Sequence, residues 1–350
     1  VTDPAIGQAQ TYAVARYSRA AGHALWLAML DDVKRQRLLA PSLAARLPRL
    51  ALLIVTLGAA LWWAWLGGSW LGVGGAHAAT ALLLAQFAFV GHDAGHGSIS
   101  GKPAVNRALG HLCMTLVTGL AFDEWMARHR AHHKFCQDEH RDPDMAVDVV
   151  VSLTENSRRR KGTIGRFVGR YQAVHIWVMS VFFGHSQRLL SQAAVLANPR
   201  RHRLDAAMLL LHFTLWFVMP CLLLDVALPV VLLAYWVPLT ILGPYLAAIF
   251  WVNHIGMPLI AEVESFSFFE HQYVTSRTIT NPPAWNWLFG GLNFQIEHHL
   301  FPQVPSSRLA AVQVIVRQHF VRHGIAYHGV PWWAAVRSIA AHLRRVARAA

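Results

Sequence analysis

"LPVVLLAYWVPLTILGPYLAAIFWV", residues 228–252, is a long apolar run with no charged side chain, and it leads directly into Asn253 and His254. The hydrocarbon core of a bilayer takes about 20 residues of helix. The stretch is therefore read as a transmembrane helix, its prolines tolerated as kinks. Three other stretches read the same way: "ALLIVTLGAALWWAWLGGSWLG" (51–72), "HAATALLLAQFAFVG" (77–91) and "AAMLLLHFTLWFVMPCLLL" (206–224). The second of the four is short, but its helix can continue into the polar "HDAGHG" that follows. Pairing the spans in chain order predicts an all-α integral membrane protein, four transmembrane helices in two hairpins.

Composition agrees. The 350 residues are 55% hydrophobic and 14% charged, against about 25% charged in an ordinary soluble domain. The cysteines Cys113, Cys136 and Cys221 form no C-x-x-C pair, so no disulfide framework, zinc ribbon or iron–sulfur site is expected. No cleavable signal peptide, internal repeat or low-complexity segment is read.

The connectors decide sidedness. "VGGAHA" (73–78) and "DVA" (225–227) contain no Lys or Arg, whereas the N-terminal segment, the 92–205 region and the C-terminal tail contain all of them, including "RRRK" (158–161) and "RRHR" (200–203). Positive charge marks the cytoplasmic side. Both termini and a helical cap are thus expected in the cytoplasm of a cell (inner) membrane protein. The net charge of +13 belongs to one membrane face, facing lipid headgroups or an acidic carrier, and is not read as a nucleic-acid surface. One domain is expected over 1–350: a segment 1–50, spans over 51–252 with a cytoplasmic insert 92–205, and a cap 253–350. Stretches 108–122 and 173–184 are read as interfacial or re-entrant helices. The tail "PWWAAVRSIAAHLRRVARAA" (331–350) is read as a basic amphipathic helix lying on the interface.

That topology gathers histidines. "HDAGH" gives His92 and His96, four apart and so on one helical face. "HRAHH" gives His129, His132 and His133, again at i, i+3 and i+4. "QIEHHLFP" (295–302) adds His298 and His299, with Gln295, and His254 ends the last span. Each cluster taken singly can be structural. Eight imidazoles placed at one face are too many for one ion, and a two-metal site of iron, copper, nickel or zinc is the economical reading.

The three boxes, in this order and separated by these spans, resemble the membrane fatty-acid desaturase family. "FGGLNFQIEHHLFPQVP" (289–305) and "HGIAY" (323–327) are similar to its front-end and acyl-lipid subgroup. The resemblance implies two non-haem iron ions, with dioxygen as co-substrate and two external electrons, removing two hydrogens from an acyl chain. It makes His92, His96, His129, His132, His133, His298 and His299 iron ligands, and His254 an additional one. Gln295 stands where many members carry histidine and is assigned a hydrogen-bonding role, with Asn253 beside it. Ligating imidazoles usually donate their other N–H to a carboxylate or carbonyl; Asp93, Glu297, Asp142 and Asp144 are the nearest candidates. His271, in "FFEHQYVTSR" (268–277), is placed near ligands or substrate.

A fatty-acyl substrate follows, carried on a lipid, coenzyme A or an acyl-carrier protein. No "HPGG"-like haem segment is seen, so a separate electron donor such as a ferredoxin is expected. Hydroxylation or acetylenation on the same scaffold shares the boxes. A histidine-rich transporter is the rival from another class, but only His212 is an ionisable residue near the centre of a span, and no inverted repeat appears.

Overall fold

The computed structural model describes residues 13–146 and 151–349. The first twelve residues of the expected N-terminal segment, and residues 147–150 of the expected insert, lie outside these. In chain order the described residues form α1 (Arg19–Arg35), α2 (Leu43–Leu66), α3 (Trp70–Gly95), α4 (Pro103–Gly110), α5 (Phe122–Phe135), α6 (Glu155–Arg160), α7 (Thr163–Gly169) and α8 (Gln172–Met179). There follow α9 (Phe183–Ala197), α10 (Arg203–Phe213), α11 (Met219–Leu223), α12 (Leu228–His254), α13 (Phe268–Val274), α14 (Gln295–Leu300), α15 (Leu309–Arg322) and α16 (Trp332–Arg348). Two residues of β1 (Thr278–Ile279) pair in parallel with β2 (Gly329–Val330). The protein is a mostly helical membrane protein. Four helical runs are long and apolar enough to cross a bilayer: Leu43–Leu66, Trp70–Gly95, Arg203–Leu223 and Leu228–His254.

The first hairpin is offset from the sequence reading. Hydropathy carries the first span through "GGSWLG", but Gly67 and Gly68 have φ of 67° and 98°, a backbone that L side chains resist. The turn falls there, not at "VGGAHA". Ser69 then starts α3 by accepting a hydrogen bond from Gly72 N at 3.2 Å. As expected, α3 runs on through His92 to Gly95. The third span contains a π-helical turn, Thr214–Val218, between α10 and α11. Large apolar side chains on these helices are exposed, Leu52, Val55, Trp70 and Leu222 among them, as lipid-facing surface should be.

The chain divides into two compact units. One comprises residues 41–127 and 180–247. Within it Leu50, Leu53 and Leu57 of α2 share a core with Phe87, Val90 and Ala94 of α3. A buried ion pair at 2.5 Å joins Arg46 of α2 to Asp93 of α3. A Cβ on Gly91 would fall 2.3 Å from Met114 Cγ, so glycine is what permits the close approach of the following π-helical segment His111–Thr118. Asp205 of α10 accepts from the backbone N–H groups of Asp123 and Glu124, each at 3.3 Å. A carboxylate thus sits on the orphan donors and positive dipole end of α5, the helix that carries "HRAHH".

The other unit comprises the N-terminal segment to Ala40, Arg128–Met179, and the chain from Ala248 onward. Met29 and Val33 of α1, Phe269 of α13, Ile296 and Leu300 of α14, and Phe320 of α15 form its main core. A second core brings together Ile176 of α8, Val252 and Ile255, and Ala335, Ile339 and Leu343 of α16. The tail helix is amphipathic as read, but its apolar face is covered by the protein's own α8 and is not left for the bilayer.

Candidate metal centre

Helix α5 ends in "HRAHH", α12 ends at His254, and α14 carries His298 and His299. In the histidine-bearing unit these three ends converge. Ligand-capable atoms of His132, Cys136, His254 and His299 all lie within 4.8 Å of one another. The ring centroids of His132 and His254 are 4.9 Å apart, those of His254 and His299 4.8 Å. Beside them His133 Nε2 stands between His129 Nε2 at 3.1 Å and His298 Nε2 at 3.2 Å.

The other ring edges are held by neutral and anionic acceptors. His132 Nδ1 donates to Asp142 Oδ1 at 2.9 Å, with an oxygen of the largely exposed Asp144 at 3.4 Å. Asp142 is fixed in turn by Gln137 N at 2.8 Å and Asp144 N at 3.0 Å. His299 Nδ1 donates to Gln272 Oε1 at 2.8 Å, and Gln272 Nε2 donates to the carbonyl of His133 at 3.0 Å. His254 Nδ1 donates to the Thr275 carbonyl at 3.0 Å. Donation from Nδ1 makes Nε2 the lone-pair edge of each of the three rings in its neutral form. His299 Nε2 is buried and finds no hydrogen-bond acceptor or donor among the described residues.

Electrostatics follow from this arrangement. Burial opposes charge on His132, but the Asp142 and Asp144 carboxylates beside it outweigh burial and raise its pKa to about 9. Burial, reinforced by the neighbouring imidazoles, holds His299 well below the ordinary histidine range, so it is neutral. Burial also pushes the Cys136 thiol up, and its Sγ lies 3.4 Å from the Nδ1 edge of His254, not the lone-pair edge. A protonated thiol on that edge is packing, not a thiolate ligand. A set of buried imidazoles, each with Nδ1 anchored and one with an orphaned Nε2, suits a borderline divalent ion such as iron.

The remaining expected residues take varied places. His92 and His96 belong to the other unit, where their rings meet edge-on at 4.7 Å in and just after the last turn of α3. Asp93 turns one carboxylate oxygen to Arg46; its other oxygen is 3.8 Å from His92 Nδ1, beyond hydrogen-bond length. Gln295 Nε2 lies 2.9 Å from His254 Nε2, while its Oε1 accepts from Asn253 Nδ2 at 3.2 Å. His271 Nε2 donates to the Cys136 carbonyl at 2.9 Å. Among the described residues Glu297 meets no imidazole: Thr278 Oγ1 donates to it at 2.7 Å and the Tyr327 hydroxyl at 2.6 Å. It braces α14 from behind.

Sequence reading missed Gln272, Thr275, Tyr327 and Arg277. Arg277 donates to the carbonyls of Val252 and Ile255, with 2.6 Å to the first. It places a cation on the negative end of α12, where His254 sits. Gln272 is the neighbour of His271 in a stretch already singled out, but nothing local in "EHQYV" marks the amide as the one facing box three.

Residues 68–331 match the fatty acid desaturase family model. The chain belongs to the fatty acid desaturase family. Among curated relatives it is 29% identical to "Delta(8)-fatty-acid desaturase 2" of Arabidopsis thaliana over 286 residues, 74% of this chain and 61% of that protein. It is 30% identical to "sn-1 linoleoyl-lipid 6-desaturase" of Synechocystis over 278 residues, 73% of this chain and 75% of that one. Against "Acyl-lipid (9-3)-desaturase" of Physcomitrium patens the identity is 29%, over 77% of this chain and 52% of the moss protein. The chain thus spans about three fifths of the first plant relative and three quarters of the cyanobacterial one.

Proposed function

We propose that this desaturase-family protein introduces a carbon–carbon double bond into a fatty-acyl chain, as a single domain whose histidine cap lies on the cytoplasmic side of the cell membrane. The observation that carries the proposal is the cluster of buried His132 and His299 with half-buried His254, these three each placed by a different box or span, and His133, His129 and His298 alongside. The resemblance assigns His92 and His96 to the same di-iron centre, and that assignment is part of the proposal. Sidedness rests on the turns Gly67–Ser69 and Leu224–Ala227, which contain no Lys or Arg.

Two iron ions bound there would supply the oxidising power that dioxygen and two electrons from a donor such as a ferredoxin provide. Over one turnover –CH2–CH2– becomes –CH=CH–, and dioxygen with two electrons and two protons leaves as two waters. The chain's own residues do the positioning. Asp142, Gln272 and the Thr275 carbonyl fix which nitrogen of each imidazole faces inward. Arg277 and Glu297 hold the ends of α12 and α14 that present them. The core that Ile296 and Leu300 of α14 join excludes water from the rings.

The test is mass spectrometry of acyl groups from cells expressing the protein with an electron donor, beside a His299→Ala control. Loss of two hydrogens from one acyl class, absent in the control, is the expected result. Gain of one oxygen would move the protein to the hydroxylases of the same scaffold. An unchanged acyl profile would refute acyl chemistry.

A further inference from the structure

A cluster of arginines without acidic partners among the described residues lies in the same unit, between α6–α7 and the C-terminal helix. A cleft of about 710 Å³ is lined by Arg158, Arg166, Arg170, Arg344 and Arg348, with Phe167. Arg158 is buried and its Nη atoms hold the carbonyls of Gly165 and Arg166, at 3.1 and 2.6 Å, so it forms the floor. Its Nε, also buried, has no acceptor among the described residues. The other four arginines are exposed. Among the described residues, no acidic side chain pairs with any of them. Their neighbours on α6 differ: Arg159 and Arg160 have Glu155 and Glu139 at 3.5 and 3.6 Å. Five guanidinium groups without a counter-charge repel one another, and an anion relieves that repulsion.

Adjoining the cleft is an unusual apolar surface. Ile164, Phe167, Tyr171, Val174 and Val178 recur every three or four residues along α7 and α8, and all are largely exposed, from 59% to 82%. Large apolar and aromatic side chains in such a row, beside a cluster of arginines, have the make-up of a helix lying in the headgroup region of a bilayer. An acidic soluble protein would satisfy the arginines but leave the row in water. A phospholipid surface satisfies both: phosphate oxygens take the guanidinium forks and the acyl-chain boundary takes the apolar row.

We infer that the arginine cleft and the α7–α8 row together form an interfacial site for an anionic phospholipid, whose headgroup phosphate lies among Arg158, Arg166, Arg170, Arg344 and Arg348. The inference uses the membrane character of the protein and is independent of the acyl chemistry, so either can fail alone.

The chain, purified in a neutral detergent, would be titrated in mixed micelles with dioleoyl-phosphatidylglycerol or dioleoyl-phosphatidylcholine, and bound lipids counted by intact-complex mass spectrometry. Selective retention of the anionic lipid is expected. Arg166→Gln/Arg170→Gln/Arg344→Gln/Arg348→Gln should weaken it on the order of 600-fold, since each arginine near an anionic surface contributes about fivefold. Ile164→Ser/Phe167→Ser should also weaken it, with the arginines intact. All six positions are exposed, and an unchanged thermal unfolding midpoint would show that the fold is kept. Three outcomes overturn the inference: equal retention of both lipids, retention unaffected by the arginine variant, or displacement by millimolar inorganic phosphate with no effect of the serine variant. The last would make the cleft a site for free anions.

Discussion

Asp142 gives the sharpest test of how the centre is held. Its carboxylate accepts three hydrogen bonds, from His132 Nδ1 at 2.9 Å, Gln137 N at 2.8 Å and Asp144 N at 3.0 Å. Asn at this position has one acceptor oxygen. If that oxygen keeps His132 and Asp144, the new amide N–H2 faces the Gln137 N–H, donor against donor. If it turns to Gln137, the imidazole loses its acceptor. The first orientation loses one charge-assisted bond and the second loses two, His132 and Asp144 N sharing Oδ1, so the cost is at least about 1.5–3 kcal/mol. At about 1.4 kcal/mol per factor of ten, that is roughly 10–100-fold, the range typical for removing an acceptor behind a metal-bound imidazole. Asp142→Asn should therefore weaken iron binding by about that factor in a chelator-competition titration of the purified protein, with the helical circular dichroism retained. Asp144→Asn is the control: its side chain is 64% exposed and 3.4 Å from the ring, so less than about threefold is expected. Equal effects of the two substitutions, or none from Asp142→Asn, would refute the idea that Asp142 sets the His132 tautomer.

Three further outcomes are expected. The buried Arg46–Asp93 pair implies that Arg46→Met, which takes the guanidinium from Asp93, costs about 3–5 kcal/mol, and that Arg46→Met/Asp93→Leu recovers a large part; matching thermal midpoints for the single and double variants would contradict this. Tyr327→Phe removes one of the two side-chain donors to the buried Glu297 and should cost about 1–3 kcal/mol in denaturant titration, a loss absent if Glu297 does not brace α14. The raised pKa of His132, about 9, means a cation must displace a proton from it at neutral pH. Apparent iron affinity should then fall by about tenfold per unit as pH drops from 9 toward 7; a pH-independent affinity over that range would show that His132 is not a ligand.

The four spans were legible because twenty apolar residues in a row admit few other readings, and the histidines because spacings of three and four place rings on one helix face. The hairpin turn was misplaced for a specific reason. "GGSWLG" is apolar enough to extend a hydropathy window, and only the positive φ of Gly67 and Gly68 ends the helix. The anchors of the imidazoles were less legible. Gln272 reaches His299 across 27 residues of chain and Thr275 reaches His254 across 21. No local period encodes which of several polar residues will face a ring nitrogen. Acidity near a box was an unreliable guide: Asp142 does hold an imidazole, while Asp93 goes mainly to Arg46 and Glu297 to Thr278 and Tyr327. The tail helix was recognised as amphipathic, but composition alone does not tell a face meant for lipid from one meant for α8.

The six-residue helix α14 leaves no position to chance variation. All of Gln295–Leu300 are buried. Ile296 and Leu300 belong to the main core, Glu297 to the Thr278–Tyr327 brace, and Gln295, His298 and His299 to the imidazole cluster. A protein engineer has no free handle on this helix, because every substitution there alters the imidazole cluster or the foundation beneath it.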